Sequence, residues 1–187
     1  MDFEKRRAEL IALIRKLSYR EGDFTLASGQ KSSFYIDLKA TTLHPLGAKL
    51  IGELAVELLK REGTVIDAVG GLTLGADPLA TAISLGAFDR GISWPALIVR
   101  KEPKGHGTSR FVEGMENVGA GAHVLVLEDV TTTGGSAVKA AERLREAGLL
   151  ATTALTVVDR EQGGAKALLE SGVKLLRLAT IAEIRTA

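Results

Sequence analysis

The segment EDVTTTGGS, residues 128–136, has the residue types and spacing to bind a phosphorylated sugar. It begins with Glu128 and Asp129, and the turn that follows contains Val130, Thr131, Thr132, Thr133, Gly134, Gly135 and Ser136. Glycines let the backbone point its amides inward and threonine hydroxyls add donors, so the turn suits a phosphate. The acids would repel that phosphate, which makes a sugar diol or a Mg²⁺ ion their expected partner. We therefore predict a ribose 5-phosphate pocket, and the alternative is an ordinary turn beside two solvated acids.

The segment RKEPKGHGTSR, residues 100–110, is strongly cationic. Its basic residues are Arg100, Lys101, Lys104 and Arg110, with His106 beside them and Glu102 as the single acid. Because Pro103, Gly105 and Gly107 disfavour helix and strand, we expect a mobile loop. Cations on such a loop could close over a pyrophosphate leaving group, neutralise its charge and exclude water. The alternative is a charged surface loop that contacts only solvent.

Two further side chains suit the recognition of a flat, anionic ring. Tyr35 could stack on such a ring, and the alternative is an aromatic residue of the core. Arg160 could form two parallel hydrogen bonds with a carboxylate, and the alternative is a surface ion pair with Asp159. His44 and His123 lack the spacing of metal ligands, so no metal site built by the protein itself is expected.

Hydrophobic patterning predicts the elements that must position these residues. Short apolar runs predict strands at Val65–Gly70, Ala96–Val99, Val124–Leu127, Thr153–Val158 and Leu175–Leu178. Helical patterns lie between them, and the predicted helices span about 2–20, 44–61, 75–87, 137–147 and 164–171. Continuous apolar strands alternating with helices favour an open α/β sheet, mainly parallel and flanked by helices. Ligands of such sheets bind at the carboxyl ends of the strands, which is where residues 128–136 are expected, with Ser136 capping the next helix.

Bulk composition excludes several classes of protein. The 187 residues suit one domain, and the net charge of +1 argues against a nucleic-acid-binding role. No apolar stretch is long enough to span a membrane, and the charged N-terminus does not have the pattern of a signal peptide. The absence of cysteine fits a reducing compartment, so we expect a cytoplasmic protein.

Five segments, in order along the chain, resemble those of a known family. Residues 123–136 resemble the phosphoribosyl pyrophosphate signature of type I phosphoribosyltransferases, and residues 100–107 resemble the RKExKxHG loop of the orotate phosphoribosyltransferases among them. FTLASGQKSSFYID, VVDREQGG and GGLTLGADPLA resemble that family's hood signature, its orotate-contacting segment and its pyrophosphate loop. The sequence departs from the family at three places: Glu128 replaces a common Asp, Ala27 replaces a lysine of some members, and Thr73 and Leu74 stand where many members have a lysine.

The resemblance implies a type I phosphoribosyltransferase fold in which residues 1–187 form a single domain, with a small N-terminal hood at about 1–43 and a core at about 44–187. It implies transfer of the phosphoribosyl group from phosphoribosyl pyrophosphate to orotate, giving orotidine 5′-monophosphate for pyrimidine biosynthesis. Mg²⁺ carried by the pyrophosphate is implied as cofactor, and a homodimer is implied in which the cationic loop reaches the partner's site.

The resemblance also assigns roles to residues. The residues implied to bind phosphoribosyl pyrophosphate are Arg100, Lys101, Lys104, His106 and the whole stretch 128–136. Lys101, Lys104 and His106 are the implied catalytic residues, and Thr132, Arg160 and Tyr35 are the implied contacts to orotate. Two alternatives stay open at this point: a phosphoribosyltransferase for another base, such as adenine, and a regulator that binds phosphoribosyl pyrophosphate without turnover.

Overall fold

A computed structural model describes residues 2–25, 31–103 and 111–187. The strands are β1 (Tyr19–Thr25), β2 (Lys31–Ile36), β3 (Ala68–Leu72), β4 (Ala96–Val99), β5 (Val112–Glu113), β6 (His123–Thr131), β7 (Leu150–Asp159) and β8 (Lys174–Thr180). The helices are α1 (Phe3–Leu17), α2 (Lys39–Thr42), α3 (Pro45–Arg61), α4 (Asp77–Phe88), α5 (Gly135–Glu146), α6 (Gly164–Glu170) and α7 (Ile181–Thr186). The cationic residues Lys104 and His106, together with Ala27, lie outside the described residues.

Six strands form one sheet in the order β5-β4-β3-β6-β7-β8. Five of these strands are parallel to one another: β4, β3, β6, β7 and β8. The sixth, β5, pairs antiparallel with β4 at the edge of the sheet. The predicted open, mainly parallel α/β sheet is therefore confirmed. β5 was not predicted because its two residues are too short a run to produce a hydrophobic pattern.

The sheet is buried on both faces, as its continuous apolar strands require. In β6, Leu125 and Leu127 pack into a core shared with α1, α3 and α4, whereas Val124 and Val126 pack into a second core shared with α5 and α6. Successive residues of a strand point to opposite faces, so one strand supplies both cores. The helices thus cover both faces and leave the carboxyl ends of the strands open to a ligand.

The N-terminal region contains a β-hairpin that the patterning did not predict. The first helix ends at Leu17 rather than near residue 20, and β1 pairs antiparallel with β2 where an irregular stretch was expected. The hairpin is irregular itself, because its register shifts between Glu21 and Phe24, and most β1 side chains are exposed. Tyr19 of β1 and Phe34 of β2 stack with ring centres 5.7 Å apart, and both belong to the main core, which secures the hairpin.

Candidate active site

The acid pair lies within β6, whereas the sequence placed it just beyond the strand. Backbone pairing with β7 continues past the apolar residues, through Glu128 opposite Thr156, to Thr131 opposite Asp159. The prediction of the strand's end was wrong because β-ladder bonds depend on the backbone and tolerate polar side chains. As a result Glu128 and Asp129 project from a paired, rigid strand.

The turn after β6 is shaped by two close-packed glycines. Gly134 is the N-cap of α5 and has a left-handed backbone with φ 83°, which glycine adopts without strain. Gly164 lies directly against the turn, where any side chain would collide with the Thr131 methyl group. The predicted cap by Ser136 was wrong: Ser136 lies inside the helix, and no side chain caps α5. The first amides of α5 are therefore available to an anionic ligand.

Two adjoining cavities meet at the acid pair. The smaller cavity, of about 110 Å³, is lined by Glu128, Val130, Thr131, Thr132, Thr133, Gly134, Gly135 and Ser136. The larger cavity, of about 280 Å³, is lined by Lys39, Leu72, Thr73, Leu74, Gly75, Lys101, Glu128, Asp129 and Ser136. Because Glu128 and Ser136 line both, the two cavities form one cleft with the carboxylates near its middle.

Thr131 is one of the residues that line the smaller cavity, and its hydroxyl is buried without a hydrogen-bond partner among the described residues. Buried hydroxyls are nearly always satisfied, so this atom indicates a ligand that would accept or donate a hydrogen bond there. A phosphate in the turn would supply several acceptor oxygens. The structure thus brings the predicted residues 128–136 together at two adjoining cavities.

The acid pair in the cleft includes one carboxyl group with a strongly raised pKa. Burial raises the pKa of the Glu128 carboxyl to about 8, the neighbouring Asp129 adds to the rise, and Lys101 opposes it. Gly75 approaches the pair from the other side, where a Cβ atom would lie 2.8 Å from the Asp129 carboxyl carbon. Thr73 and Leu74 give this part of the cleft no charged side chain, as the sequence indicated.

Lys39 lines the larger cavity, and the sequence analysis missed it. Its ammonium group forms an ion pair with Asp37 at 2.7 Å, and this hydrogen bond raises the pKa of Lys39. The only available signal was its position two residues after the end of the hood signature, FTLASGQKSSFYID. A lone lysine at the start of a four-residue helix gives no pattern, so its place at the cleft depends on tertiary structure.

The base of the cationic segment is held by α5. The Arg143 guanidinium donates hydrogen bonds to the carbonyls of Arg100 and Lys101, the second at 2.6 Å. The same guanidinium lies 4.2 Å from the ring centre of Phe111. Lys101 lines the larger cavity as predicted, but the Arg100 side chain pairs with Glu113 at 3.3 Å and does not line either cavity.

Of the predicted orotate contacts, Thr132 and the Arg160 backbone lie at the turn, whereas Tyr35 lies on the hairpin. Thr132 lines the smaller cavity. Arg160 donates its backbone N–H to the Thr131 carbonyl at 2.9 Å, and its guanidinium lies 4.8 Å from the ring centre of Phe34. Burial lowers the pKa of Arg160, and its Nε is buried without a hydrogen-bond partner among the described residues. Tyr35 projects from the other face of β2, packs against Phe24 and is 45% exposed, so it is not a core aromatic.

The described residues contain neither a metal-ligand cluster nor a membrane-spanning helix. Within residues 2–25, 31–103 and 111–187, no three His, Asp or Glu side chains cluster as a metal site would require. No helix in this part of the chain is both long and apolar enough to cross a membrane.

The chain is similar to known proteins over most of its length. Residues 38–181 match the model of the phosphoribosyl transferase domain. The chain is 52% identical to the orotate phosphoribosyltransferase of Thermosynechococcus vestitus, over 95% of this chain and 92% of the relative. It is 48% identical to that of Nostoc sp., over 98% and 87%. It also resembles the Mycobacterium tuberculosis orotate phosphoribosyltransferase solved with 5-phospho-α-D-ribosyl 1-diphosphate, with TM-score 0.80 and 38% identity over 96% and 99% of the two chains.

Proposed function

The chain belongs to the phosphoribosyl transferase domain family and, within it, to the orotate phosphoribosyltransferases, and on this premise we propose that it joins orotate to the ribose of phosphoribosyl pyrophosphate. The products are orotidine 5′-monophosphate, a precursor of UMP, and pyrophosphate. The observation that carries the proposal is the pair of cavities that meet at Glu128 and Ser136. One cavity has a phosphate turn and the other has cations, and the two carboxylates lie between them.

Each part of the sugar substrate has a chemical counterpart in the cleft. The 5-phosphate fits the turn, where the Thr131 hydroxyl and the first amides of α5 point. Glu128 and Asp129 accept hydrogen bonds from the ribose diol, and the pyrophosphate extends into the larger cavity beside Lys101. The substrate therefore spans both cavities, with its anomeric carbon near their junction.

The reaction is a displacement at the anomeric carbon. The orotate ring nitrogen that becomes glycosylated forms the new C–N bond, and pyrophosphate leaves with the electron pair of the broken C–O bond. The proton of the ring nitrogen passes to the released pyrophosphate or to water. Because orotate is an anion, the protein acts mainly by aligning the two substrates and by stabilising charge on the leaving group. Of the three residues that the sequence predicts to be catalytic, Lys101 is the one within the described part of the chain. Lys104 and His106 keep the catalytic roles that the sequence predicts.

Orotate is distinguished from other bases by its carboxylate. Arg160 supports this assignment, because its backbone N–H is hydrogen-bonded to the Thr131 carbonyl in the turn and its guanidinium stacks on Phe34 in the hairpin. A guanidinium fixed by stacking is well suited to two parallel hydrogen bonds with a carboxylate. Stacking of Tyr35 on the orotate ring remains part of the proposal as a contact made from the hood.

Mg²⁺ is proposed as the cofactor, carried by the pyrophosphate of the substrate. The donor set fits this role, because Glu128 and Asp129 line the larger cavity but the described residues do not form a three-ligand cluster. A hard cation that keeps most of its water and binds substrate phosphates needs only one or two protein carboxylates. When bound, it adds positive charge to the leaving group.

A cytoplasmic homodimer with shared sites completes the proposal. The lack of cysteine fits a reducing compartment. The exposed apolar side chains Leu74, just before α4, and Leu85 and Phe88, in its last turn, support dimerisation, because a partner would cover them. The cationic segment of one subunit would then lie within reach of the partner's cleft.

The experiment is an absorbance assay with phosphoribosyl pyrophosphate, Mg²⁺ and one base at a time. We expect the orotate signal to fall, and we expect uracil, which lacks the carboxylate, to be a poor substrate. Turnover of adenine alone, or binding without turnover of any base, would instead support the two alternative functions.

As a test of the site, replacing Glu128 and Asp129 together with alanine should weaken ribose 5-phosphate binding, and unchanged affinity would contradict the assignment.

A further inference from the structure

The pyrophosphate end of the cleft lacks a cation on the loop that surrounds it. Residues 72–75 contribute only Leu72, Thr73, Leu74 and Gly75 to the larger cavity, and none of them is charged. A leaving pyrophosphate carries several negative charges, and in a cleft that already contains two acidic side chains these need nearby cations. Of the described residues that line this cavity, Lys39 and Lys101 are the basic ones.

We propose that Lys39 binds the pyrophosphate group of phosphoribosyl pyrophosphate, supplying from the N-terminal hood the cation that the loop at residues 72–75 lacks. Lys39 lines the cavity opposite the carboxylates, with which it shares the space that a diphosphate would fill. A lysine is well suited to this task, since its ammonium group acts as a point charge toward phosphate oxygens. This inference rests on the proposed function, because it takes its ligand from that reaction.

The backbone beneath Lys39 is fixed, which suits a residue that must aim a charge. Leu38 is fully buried, and the Thr41 hydroxyl lies 2.7 Å from that of Ser18 at the end of α1. The Asp37 backbone N–H donates to the Ser18 carbonyl at 3.0 Å. The Lys39 side chain is 55% exposed, so its ammonium group has room to move, whereas its backbone is held in place.

The Lys39 ammonium forms an ion pair with Asp37. The ion pair is short, but both partners are substantially exposed, and such pairs add little to stability. The Lys39 ammonium also feels the Asp129 carboxylate, so it is drawn toward the cleft. An incoming diphosphate with several charges can therefore compete with the single carboxylate of Asp37.

The test compares two probes, inorganic pyrophosphate and ribose 5-phosphate, by calorimetric titration of the Lys39→Met variant. We expect the dissociation constant of pyrophosphate to rise about tenfold, as for the loss of a charge-assisted hydrogen bond, and KM for phosphoribosyl pyrophosphate to rise with it. Ribose 5-phosphate affinity should stay unchanged, because this probe lacks the diphosphate. Lys39→Arg should restore most of the pyrophosphate affinity.

Two further variants separate a binding role from a structural one. Asp37→Asn removes the ion pair but keeps the lysine, so pyrophosphate affinity should be kept or increased. Lys174→Met removes an exposed lysine that pairs with Glu62, and it should change neither affinity. Unchanged pyrophosphate binding in Lys39→Met overturns the inference, and so does an equal loss for both probes or an equal loss in Asp37→Asn. Wild-type turnover of orotate is measured separately, so failure of the proposed function would be recognised on its own.

Discussion

Glu128 is half-buried beside Asp129, and its raised pKa has a consequence for stability. Between its usual value of 4.5 and about 8, the folded protein holds a proton at Glu128 that the unfolded chain has released. The unfolded state binds fewer protons in this window, so the free energy of unfolding decreases as the pH rises through it. Above about pH 8 the full destabilising effect is present, because the buried carboxyl beside Asp129 is then ionised.

We expect Glu128→Gln to be more stable than the wild type at pH 8.5, by on the order of 2 kcal/mol, with the gain shrinking toward zero near pH 4.5. The amide cannot ionise, so it escapes both the burial penalty and the repulsion from Asp129. Urea denaturation at several pH values measures the effect, with the exposed Glu116→Gln variant as the control for a carboxyl-to-amide change. A gain that does not depend on pH would show that Glu128 does not titrate in this window.

The sequence predicted most residues of the cleft but could not predict their partners. Residues 128–136 and Lys101 were predicted because they lie in short continuous segments whose residue types indicate their chemistry. Lys39 was missed, since its relevance comes from an element far away in the chain. The pairing of Arg100 with Glu113 was equally hidden, because it requires the antiparallel contact of β4 with β5. Lys104 and His106 stay predictions.

At the scale of elements, α5 links the phosphate turn to the cationic segment. Gly134 begins the helix at the turn, and in its last turn Arg143 binds the carbonyls of Arg100 and Lys101. Arg143 is buried, so its charge depends on these carbonyls and on the Phe111 ring for compensation. The same helix therefore shapes the phosphate site and fixes the backbone from which Lys101 projects.

We expect Arg143→Met to lower the free energy of unfolding by about 1–3 kcal/mol and to raise KM for phosphoribosyl pyrophosphate severalfold. KM for orotate should change little, because Arg160 lies on a different strand end. Steady-state kinetics and urea denaturation measure the two effects, and Arg143→Lys should restore part of both, since it keeps the charge but loses the fork geometry.

Arg145 offers a matched control on the same helix. Its guanidinium donates to the carbonyls of Ala151 and Ser171, which are not part of the cleft. Arg145→Met should therefore lose stability without a change in KM for phosphoribosyl pyrophosphate. If both variants raised this KM equally, the effect would come from a general loosening of α5 rather than from the position of Lys101.

At the scale of the whole molecule, the alternation of apolar runs and helical patterns was enough to predict a parallel sheet with helices on both faces. The peripheral strands of the fold could not be predicted from this pattern, because their formation depends less on burial. β5 is two residues long, and the β1–β2 hairpin is largely exposed, so neither has the hydrophobic period that reveals a strand. The hood that completes the site is thus the part with the weakest pattern in the sequence.

The exposed face of α4 bears on the assembly of the molecule. Leu85 is 61% exposed and Phe88 72% exposed, three residues apart on the side opposite the buried Ile83 and Ala87. Large apolar side chains adjacent to one another on a surface commonly mark an interface. We expect the wild type to elute as a dimer in gel filtration and the Leu85→Ser, Phe88→Ser double variant to shift toward the monomer.

Complementation tests whether the subunits share their sites. Lys104→Ala should nearly abolish turnover while phosphoribosyl pyrophosphate still binds, and Asp129→Ala should disable the pocket. If the cationic segment serves the partner's cleft, a mixed dimer of these variants has one site with both defects and one with neither. Random mixing in equal amounts makes half of all dimers mixed, so about a quarter of wild-type activity should return. If each subunit instead used its own segment, both sites of the mixed dimer would be defective and the mixture would stay as inactive as its parents.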